Sequence, residues 1–364
     1  MKELVFTVTN DLNYDQRMIR ICSSLCDAGY HVTLIGRKLP SSIPLQPRNF
    51  RQLRLSCMFH KGPLFYAEFN LRLFIKLLFI RADLFCAIDL DTILPVLFAS
   101  KARGIKRVYD AHELFCEMQE IVQRPRIYRT WKKIERFAVP RFAFCYTVNQ
   151  PIADEFYRMY HVRFDVIRNL PVLHDLAIPP KPERFILYQG AINEGRSFDS
   201  LIPAMKMVNA RLLMAGTGNY MAKVRELISL HQLEGKIELT GPLLPEDLQR
   251  LTRQAYAGIT LFEPTGLSNY YSLANRFFDY LHAGLPQLCV DYPVYSELNK
   301  TGPVAVLTTE LTSGVIAAKL NMLLENDILY RELQQNCLER RLVLNWQEES
   351  KHLIKFYNSL FRLD

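Results

Sequence analysis

The chain has 364 residues, too many for one ordinary hydrophobic core, so two domains of about 150–200 residues are expected. Hydrophobic residues make up 49% and charged residues 23% of the chain, a composition that excludes a largely disordered protein. The formal net charge of +8 favours an anionic partner, which includes a nucleoside diphosphate, a phospholipid surface or a nucleic acid.

The eight cysteines are scattered and form no C-x-x-C pair, which indicates buried thiols in a reducing compartment rather than disulfides or a zinc site. The apolar segment Leu4–Thr9 is too short for a signal peptide. The segment Leu71–Ile80 contains Arg72 and Lys76, and it is too short and too charged to cross a bilayer. These features predict a cytoplasmic protein that is soluble or peripheral on the inner face of the membrane.

Short β-rich segments alternate with helical segments along the first half of the chain. The predicted strands are Leu4–Thr9, His31–Ile35, Leu53–Cys57, Leu84–Ile88, Arg107–Asp110, Phe144–Val148 and Asp165–Ile167. The predicted helices include Asp15–Asp27, Phe65–Ile80, Ile93–Ala102 and Arg126–Phe137. This alternation predicts a parallel sheet that is covered by helices on both faces.

Four prolines, Pro171, Pro179, Pro180 and Pro182, predict a linker over 171–184, after which the alternation resumes. The predicted strands of the second half are Phe185–Tyr188, Arg211–Met214, Lys236–Leu239, Gly258–Phe262, Gln287–Val290 and Val304–Leu307. The predicted helices are Ser197–Met207, Asn219–Leu230, Pro245–Gln254, Leu273–His282 and Thr312–Leu324.

The fold class that follows is α/β, with two doubly wound, Rossmann-like domains over 1–170 and 185–345. Because α/β sheets bind ligands at the carboxyl ends of their strands, we expect the two domains to face a central cleft.

The turn after the first strand, Asn10–Arg17, contains no glycine, which argues against the G-x-G-x-x-G turn of a Rossmann oxidoreductase. Asp15 and Arg17 fit either an N-cap with a first-turn cation or a pair of substrate contacts. The segment Tyr109–Glu113 closes another strand with three polar residues. Its His112 is therefore a candidate to contact a ligand in the cleft.

Two consecutive βα units of the second half have glycine-rich turns. In Tyr188–Ser197 the strand ends at Gly190, Gly195 follows in the turn, and Arg196 precedes a helix. Helix-start amides and a guanidinium form a diphosphate site, although a solvated loop arginine has the same pattern. The segment Ala215–Asn219 repeats the strand, glycine turn and helix.

The most distinctive segment is Thr265–Pro286, in which a polar, aromatic loop leads into a helix. On this helix Asn275 and Asp279 lie four residues apart, opposite an apolar face. Gly284 predicts the end of the helix. A carboxylate on the first turns of a helix is suited to bind the two hydroxyls of a ribose, whereas a solvated charge would leave the preceding polar loop unexplained.

These motifs resemble, in this order, the donor domain of glycosyltransferase family 4. The resemblance rests on the turn with Arg196, the Ala-Gly-x-Gly turn, the segment Thr240–Leu248 and the segment Ser272–Pro286. The amino-terminal segment Val8–Arg17 and the sequence around His112 are similar to bacterial members. The resemblance implies a GT-B fold, a nucleoside-diphosphate sugar as donor, retention at the anomeric carbon and no metal or other cofactor.

The resemblance also implies the roles of the domains. Residues 1–170 would bind the acceptor, 185–345 the donor, and the helix within 346–364 would cross back to the first domain. The function implied is the transfer of a hexosyl group to a cell-surface glycan or a lipid-linked acceptor.

The catalytic residues implied are His112, Arg196 and Asp279: Arg196 would hold the departing diphosphate, Asp279 the ribose, and His112 the sugar or its phosphate. The donor-binding residues implied are Gly190, Gly195, Gly216, Gly218, Leu244, Tyr271, Ser272, Leu273, Asn275 and Arg276. No metal ligand is expected. The sequence Asp89-Leu-Asp91 is similar to a metal-binding D-x-D, but it lies at a strand end of the first domain, away from the donor motifs.

The sequence departs from the family at two positions of the donor site. Tyr271 stands where the family has the first of two acids, and Ala191 stands where it often has an arginine. A sugar-nucleotide epimerase and a non-catalytic sugar-nucleotide-binding protein therefore remain alternatives. A nucleic-acid partner is not expected, because the basic residues match no nucleic-acid-binding motif.

One further partner is suggested by the segment Arg124–Arg141, which has seven basic residues and one acid. A helix there would place Arg129, Lys132, Lys133 and Arg136 on one face. Such a face suits either an anionic membrane surface or solvent, with the apolar side of the helix packed on the sheet.

Overall fold

A computed structural model describes residues 1–175 and 184–361. The chain divides into two compact units, Met1–Asn169 with Glu348–Asp364, and Leu170–Gln347. Most of the predicted linker, including Pro179, Pro180 and Pro182, lies outside the described residues.

The first unit is built on a parallel sheet of seven strands in the order β3-β2-β1-β4-β5-β6-β7. Its strands are β1 (Glu3–Thr7), β2 (His31–Lys38), β3 (Arg51–Ser56), β4 (Leu84–Ile88), β5 (Lys106–Ala111), β6 (Phe144–Thr147) and β7 (Asp165–Val166). In the centre, Leu4 pairs with Val32 on one side and with Leu84 on the other. All five residues of β4 are buried, as expected for a parallel strand that has helices on both faces.

Six α-helices of the described chain connect these strands. They are α1 (Gln16–Asp27), α2 (Gly62–Phe79), α3 (Ile93–Arg103), α4 (Gln119–Val122), α5 (Pro125–Ala138) and α6 (Gln150–Tyr160). The side chain of Asp15 accepts the backbone N–H of Met18 at 3.0 Å, so Asp15 is the N-cap of α1.

The second unit has a parallel sheet of six strands in the order β10-β9-β8-β11-β12-β13. Its strands are β8 (Phe185–Gln189), β9 (Arg211–Ala215), β10 (Ile237–Gly241), β11 (Ala257–Thr260), β12 (Gln287–Val290) and β13 (Ala305–Thr308). Its helices are α7 (Phe198–Ala204), α8 (Met221–Leu230), α9 (Pro245–Gln254), α10 (Leu267–Tyr270), α11 (Asn275–His282), α12 (Pro293–Lys300), α13 (Ser313–Glu325) and α14 (Asp327–Arg340).

The strand order of the second sheet changes direction between β8 and β11. From β8 the chain moves outward through β9 and β10 and then returns to β11 on the other side of β8. The loops that follow β8 and β11 therefore leave the sheet in opposite directions. Such a switch point opens a crevice at the carboxyl ends of the strands, where open α/β sheets bind ligands.

The last helix, α15 (Trp346–Phe361), begins in the second unit, and its residues from Glu348 onward belong to the first unit. Tyr357 is fully buried, with its ring 5.8 Å from that of Phe6 and its hydroxyl 3.3 Å from that of Tyr146. The hydroxyl of Tyr30 donates to Asn358 at 2.6 Å. These contacts make α15 part of the core of the first unit.

The predicted architecture of two parallel, helix-covered sheets is confirmed, and every predicted strand corresponds to a strand of the structure. Three helices of ordinary length, α6, α12 and α14, were absent from the prediction.

Candidate functional site

The turns after β8 and β9 are joined by backbone hydrogen bonds at the carboxyl edge of the second sheet. Gly190 donates to Ala215 at 2.9 Å, Ile192 donates to Thr217 at 3.0 Å, and Tyr220 donates back to Ile192 at 3.0 Å. The two turns therefore form one layered segment rather than two independent loops.

This layering explains why the second turn contains glycines. A Cβ on Gly216 would lie 1.9 Å from the carbonyl oxygen of Gly190, and a Cβ on Gly218 would lie 2.2 Å from that of Ile192. Gly216 also has a φ of +149°. We expected Gly216 and Gly218 to let the backbone approach a donor, and the structure shows that they let the two turns approach each other.

The predicted phosphate-binding residue Arg196 connects the turn after β8 to the loop after β11. Its Nη1 donates to Oδ1 of Asn269 at 3.1 Å, and its guanidinium lies 4.4 Å from the ring centre of Phe262. Close by, the backbone N–H of Glu263 donates to the carbonyl of Gly195 at 3.0 Å. Arg196 is half-buried, so its side chain is both positioned and accessible.

A second guanidinium, that of Arg276 on α11, lies 4.8 Å from the same Phe262 ring. Its Nη1 donates to the hydroxyl of Tyr188 at 2.9 Å and to the carbonyl of Gln189 at 3.1 Å. Arg276 is buried, and a Cβ on Gly190 would lie 3.1 Å from its Nη1. The structure thus places Arg276 below the β8 turn, where it supports the turn from inside the unit.

The predicted ribose-binding residue Asp279 is fixed from the central strand. Gln189, the last residue of β8, donates from Nε2 to Oδ2 of Asp279 at 3.0 Å. The Oε1 of Gln189 accepts the hydroxyl of Thr252 on α9 at 2.7 Å. Gln189 is buried and Asp279 half-buried, so the carboxylate lies at the carboxyl end of the sheet with one oxygen held in place.

No role is predicted from the sequence for Gln189, Thr252 or Phe262. The signal that could have identified Gln189 is an amide side chain at the end of a strand that is otherwise apolar. The contacts of Thr252 and Phe262 had no signal, because they depend on how α9 and the loop after β11 pack.

The other predicted donor-binding residues lie in the loops that follow β10 and β11. Leu244, the N-cap residue of α9, is 72% exposed. Tyr271, Ser272 and Leu273 lie between α10 and α11, and the exposed Asn275 is the first residue of α11. The buried hydroxyl of Tyr295 accepts the N–H of Ala274 at 2.9 Å, which fixes the start of α11.

In the first unit, His112 lies between two carboxylates at the carboxyl ends of β4 and β5. Its Nδ1 is 3.3 Å from Oδ2 of Asp89, and its Nε2 is 3.2 Å from Oδ2 of Asp110. The other oxygen of Asp110 accepts a hydrogen bond from the buried Arg17 at 3.0 Å. Of the two interpretations of Arg17, the structure therefore supports the structural one, an internal ion pair.

The electrostatics of this cluster follow from burial and close charges. Burial alone would lower the pKa of His112, but Asp89 and Asp110 outweigh it and raise the pKa to about 9. Burial would raise the pKa of Asp110, but Arg17 and His112 hold it below its usual value. Burial, with the neighbouring charge of Asp89, raises the pKa of Asp91 to about 7.

The two acids of the D-x-D sequence have different partners. Asp89 pairs with His112, whereas Asp91 accepts a hydrogen bond from the hydroxyl of Thr9. Within residues 1–175 and 184–361 no group of three or more His, Cys, Asp or Glu side chains is arranged to hold a metal ion.

The basic face predicted for α5 needs one correction. Lys132 is buried, and its ammonium lies 2.7 Å from Glu135 and 3.1 Å from Glu117. Arg129, Lys133 and Arg136 are exposed as expected. Lys132 turns inward because the buried Glu135, one turn further along, needs a counter-charge.

A family model matches most of the second unit. Residues 176–340 match the model of the family "Glycosyl transferases group 1". No curated protein matches the sequence of the chain.

Solved structures match both units. Sucrose-phosphate synthase from Thermosynechococcus elongatus has a TM-score of 0.79 at 16% identity over 100% of both chains. Anabaena Alr3699/HepE, in complex with UDP-glucose, has a TM-score of 0.76 at 12% identity over 99% of this chain and 100% of that chain. A mutant of S. aureus TarM, in complex with Fondaparinux, alpha-GlcNAc-glycerol and UDP, has a TM-score of 0.74 at 11% identity over 99% and 100%.

The two Rossmann-like units thus have the fold of the GT-B glycosyltransferases. The resemblance read from the sequence is confirmed at this level, and assignment to family 4 stays a prediction.

The close contact of the two turns predicts the effect of Gly216→Ala. Because a methyl group cannot share space with the Gly190 carbonyl, one turn must move, and we expect a loss of about 2–4 kcal/mol in the free energy of unfolding. Chemical denaturation measures it.

The matched control is Gly314→Ala in α13, where an added Cβ meets no atom within 4 Å. This variant should keep or slightly raise stability, by about 0.5–1 kcal/mol. Equal stability of Gly216→Ala and the wild type would show that the turns are not in this contact.

Proposed function

We propose that the chain is a glycosyltransferase that moves a hexosyl group from a nucleoside-diphosphate sugar to a glycan or a lipid-linked acceptor. The observation that carries the proposal is the placement of Arg196 and Asp279 in the second unit. The end of β8 positions both residues. Arg196 lies in the turn that follows the strand, and Asp279 is hydrogen-bonded to the last residue of the strand. The similarity to structures that contain UDP-glucose or UDP supports the same reading.

The diphosphate is proposed to bind near Arg196. Its guanidinium and that of the buried Arg276 lie 4.4 and 4.8 Å from the centre of the same Phe262 ring, so both positive charges are near that ring. A guanidinium gives a phosphate two parallel hydrogen bonds, and its charge offsets the charge that grows as the diphosphate leaves.

The ribose is proposed to bind at Asp279. An ionised carboxylate accepts two hydroxyl hydrogen bonds in the geometry of a vicinal diol. Gln189 holds one of its oxygens at 3.0 Å and so limits rotation of the carboxylate before the ligand arrives.

The reaction we propose retains configuration at the anomeric carbon by a front-face displacement. The bond from the anomeric carbon to the diphosphate oxygen breaks, and its electron pair leaves with the diphosphate. The acceptor oxygen bonds to the same face, and its proton passes to the departing phosphate. No nucleophile of the protein takes part, so the demand on the protein is to position the donor and stabilise negative charge.

A sugar-nucleotide epimerase or a binding protein without activity would use the same donor contacts. These two alternatives need a test because Tyr271 and Ala191 stand where the family has an acid and a cation. A lengthened acceptor indicates transfer, an isomerised donor indicates an epimerase, and donor binding without either indicates a binding protein.

Separate alanine substitutions of Arg196 and Asp279 test the donor site. Arg196 meets charge that grows in the transition state, so Arg196→Ala should lower kcat by roughly 10²–10³ with a smaller effect on donor affinity. Asp279 is proposed to hold the ribose equally in the ground state and in the transition state, so Asp279→Ala should weaken donor binding by about 1.5–3 kcal/mol. Calorimetry and initial rates measure the two effects.

Arg225→Ala on α8 and Asp247→Ala on α9 are matched controls, because both side chains are exposed on the same unit. They should keep wild-type kinetics. The donor site is wrongly placed if the folded Arg196 and Asp279 variants also have wild-type affinity and turnover.

We propose that transfer needs no metal ion, because Arg196 stands where a cation is required. Activity should therefore survive excess EDTA. Loss of transfer in EDTA, with recovery on addition of Mg²⁺ or Mn²⁺, would contradict this.

We further propose that the first unit docks on an anionic membrane from the cytoplasmic side. The docking surface is formed by α5, which lies within the predicted segment Arg124–Arg141, and by the neighbouring helices α2 and α3. The outward face of α2 carries large apolar side chains at i, i+7, i+11 and i+15. They are Leu64, Leu71, Ile75 and Phe79, with exposures of 59%, 60%, 49% and 82%. An apolar stripe on the outside of a helix suits a lipid surface.

Further apolar and basic side chains lie on the neighbouring helices. The exposed rings of Phe98 on α3 and Phe137 on α5 are 6.2 Å apart, and Arg103 of α3 donates to the carbonyls of Leu77 and Ile80 at the end of α2. The exposed cations of these three helices include Arg72, Lys76, Lys101, Arg126, Arg129, Lys133 and Arg136. Among the described residues no helix is both long and apolar enough to cross a bilayer.

Sedimentation with liposomes at low salt tests the docking surface. We expect recovery with anionic but not neutral vesicles. Charge reversal of Arg129, Lys133 and Arg136 should abolish it, because each cation contributes about 1 kcal/mol. Phe79→Ser should weaken it, whereas Leu230→Ser, which removes an exposed leucine of the second unit, should not. Equal recovery with both kinds of vesicle would contradict the proposal.

A further inference from the structure

In the cluster at the ends of β4 and β5, each of the two ring nitrogens of His112 faces a carboxylate. Asp89 lies 3.3 Å from Nδ1 and Asp110 lies 3.2 Å from Nε2. An ionised carboxylate only accepts hydrogen bonds, and a neutral imidazole has a single N–H. While both carboxylates are ionised, both contacts are satisfied together only when both ring nitrogens carry a proton.

The backbone holds Asp89 in this position against its own preference. Asp89 has a φ of 54°, which is unfavourable for a residue with a side chain. Its N–H donates to the carbonyl of Asp110 at 2.9 Å, and its Oδ1 accepts the N–H of His112 at 2.9 Å. Asp89 is therefore bound to the end of β5 by its backbone and its side chain, and its second oxygen is left beside the ring.

Asp110 is held from the opposite side. It is fully buried, and its two oxygens are divided between Arg17 on α1 and the ring of His112. Because Arg17 keeps Asp110 ionised, Asp110 cannot act as the donor to the ring. The His112 side chain is 22% exposed, so the ring is bound on both sides and still reachable.

We propose that Asp89 and Asp110 are positioning residues that hold His112 in its doubly protonated form, so that the ring binds an anionic group of the substrate as a fixed cation and does not act as a base. The substrate role rests on the proposed function, whereas the protonation state belongs to the free protein. The groups that face the ring from the elements around it are Asp89, Asp91, Asp110 and Arg17. The two adjacent carboxylates raise the pKa of His112 to about 9 against the opposing effects of burial and Arg17.

Nuclear magnetic resonance of the ¹⁵N-labelled full chain tests the protonation state without substrate. The ring signals of His112 are assigned by their absence from the His112→Gln variant, and they are followed as the pH is raised. We expect a midpoint near pH 9 in the wild type. In Asp89→Asn, which removes one charge at nearly constant shape, the midpoint should fall by about one pH unit or more.

The matched control is Asp83→Asn. Asp83 lies just before β4, whereas Asp89 lies just after it, so the same charge is removed at the opposite end of one strand. The His112 midpoint should not move in this variant. A wild-type midpoint near the ordinary value of about 6.5, or an unchanged midpoint in Asp89→Asn, would overturn the proposal, and the wild-type result stands even if the variant folds poorly.

The transfer rate as a function of pH tests the role of the cation. In the wild type we expect the rate to fall only above the His112 midpoint, and in Asp89→Asn the fall should move to the lower midpoint measured by resonance. A shifted midpoint with an unshifted rate profile would overturn the fixed-cation role. Absence of transfer from every protein would reject the proposed function, while the titration would still decide the state of His112.

Discussion

The second unit depends on a close contact between two backbones at the carboxyl edge of its sheet. The carbonyl oxygen of Gly190 occupies the position where a side chain on residue 216 would begin, and Gly218 meets Ile192 in the same way. Asn193 and Asn219 complete the contact, since the side chain of each accepts a backbone N–H of the other turn. Without this contact the turn after β8 would be free to move, and Arg196 would lose its defined position.

The positions of the other proposed donor contacts follow from that turn. Gln189 ends the strand directly before it and holds Asp279, while Arg276 binds the carbonyl of Gln189 from below. One central strand therefore orients a cation and a carboxylate that come from distant parts of the sequence. This is the advantage of a switch point, because the strand is rigid and the loops beside it diverge.

Much of this arrangement could be predicted from the sequence. The strands were found because buried parallel strands are continuous apolar runs, and the edge of each sheet was found because glycines and polar residues follow those runs. The role of Arg276 was harder to predict. The sequence pattern placed this residue among the donor contacts, whereas the structure buries it against Tyr188 and Phe262. Lys132 is a similar case, because only the packing shows that it is the counter-charge of the buried Glu135. Helical spacing gives the direction of a side chain but not what it meets there.

In the proposed function, the layered turns of the second unit bind a nucleoside diphosphate. Backbone hydrogen–deuterium exchange, measured with and without saturating UDP, GDP, ADP or dTDP, tests it most directly. We expect one of these nucleotides to slow exchange in the turns at 190–196 and 216–219 and at the start of α11. A nucleotide that binds by calorimetry, yet protects amides only outside these segments, would contradict it.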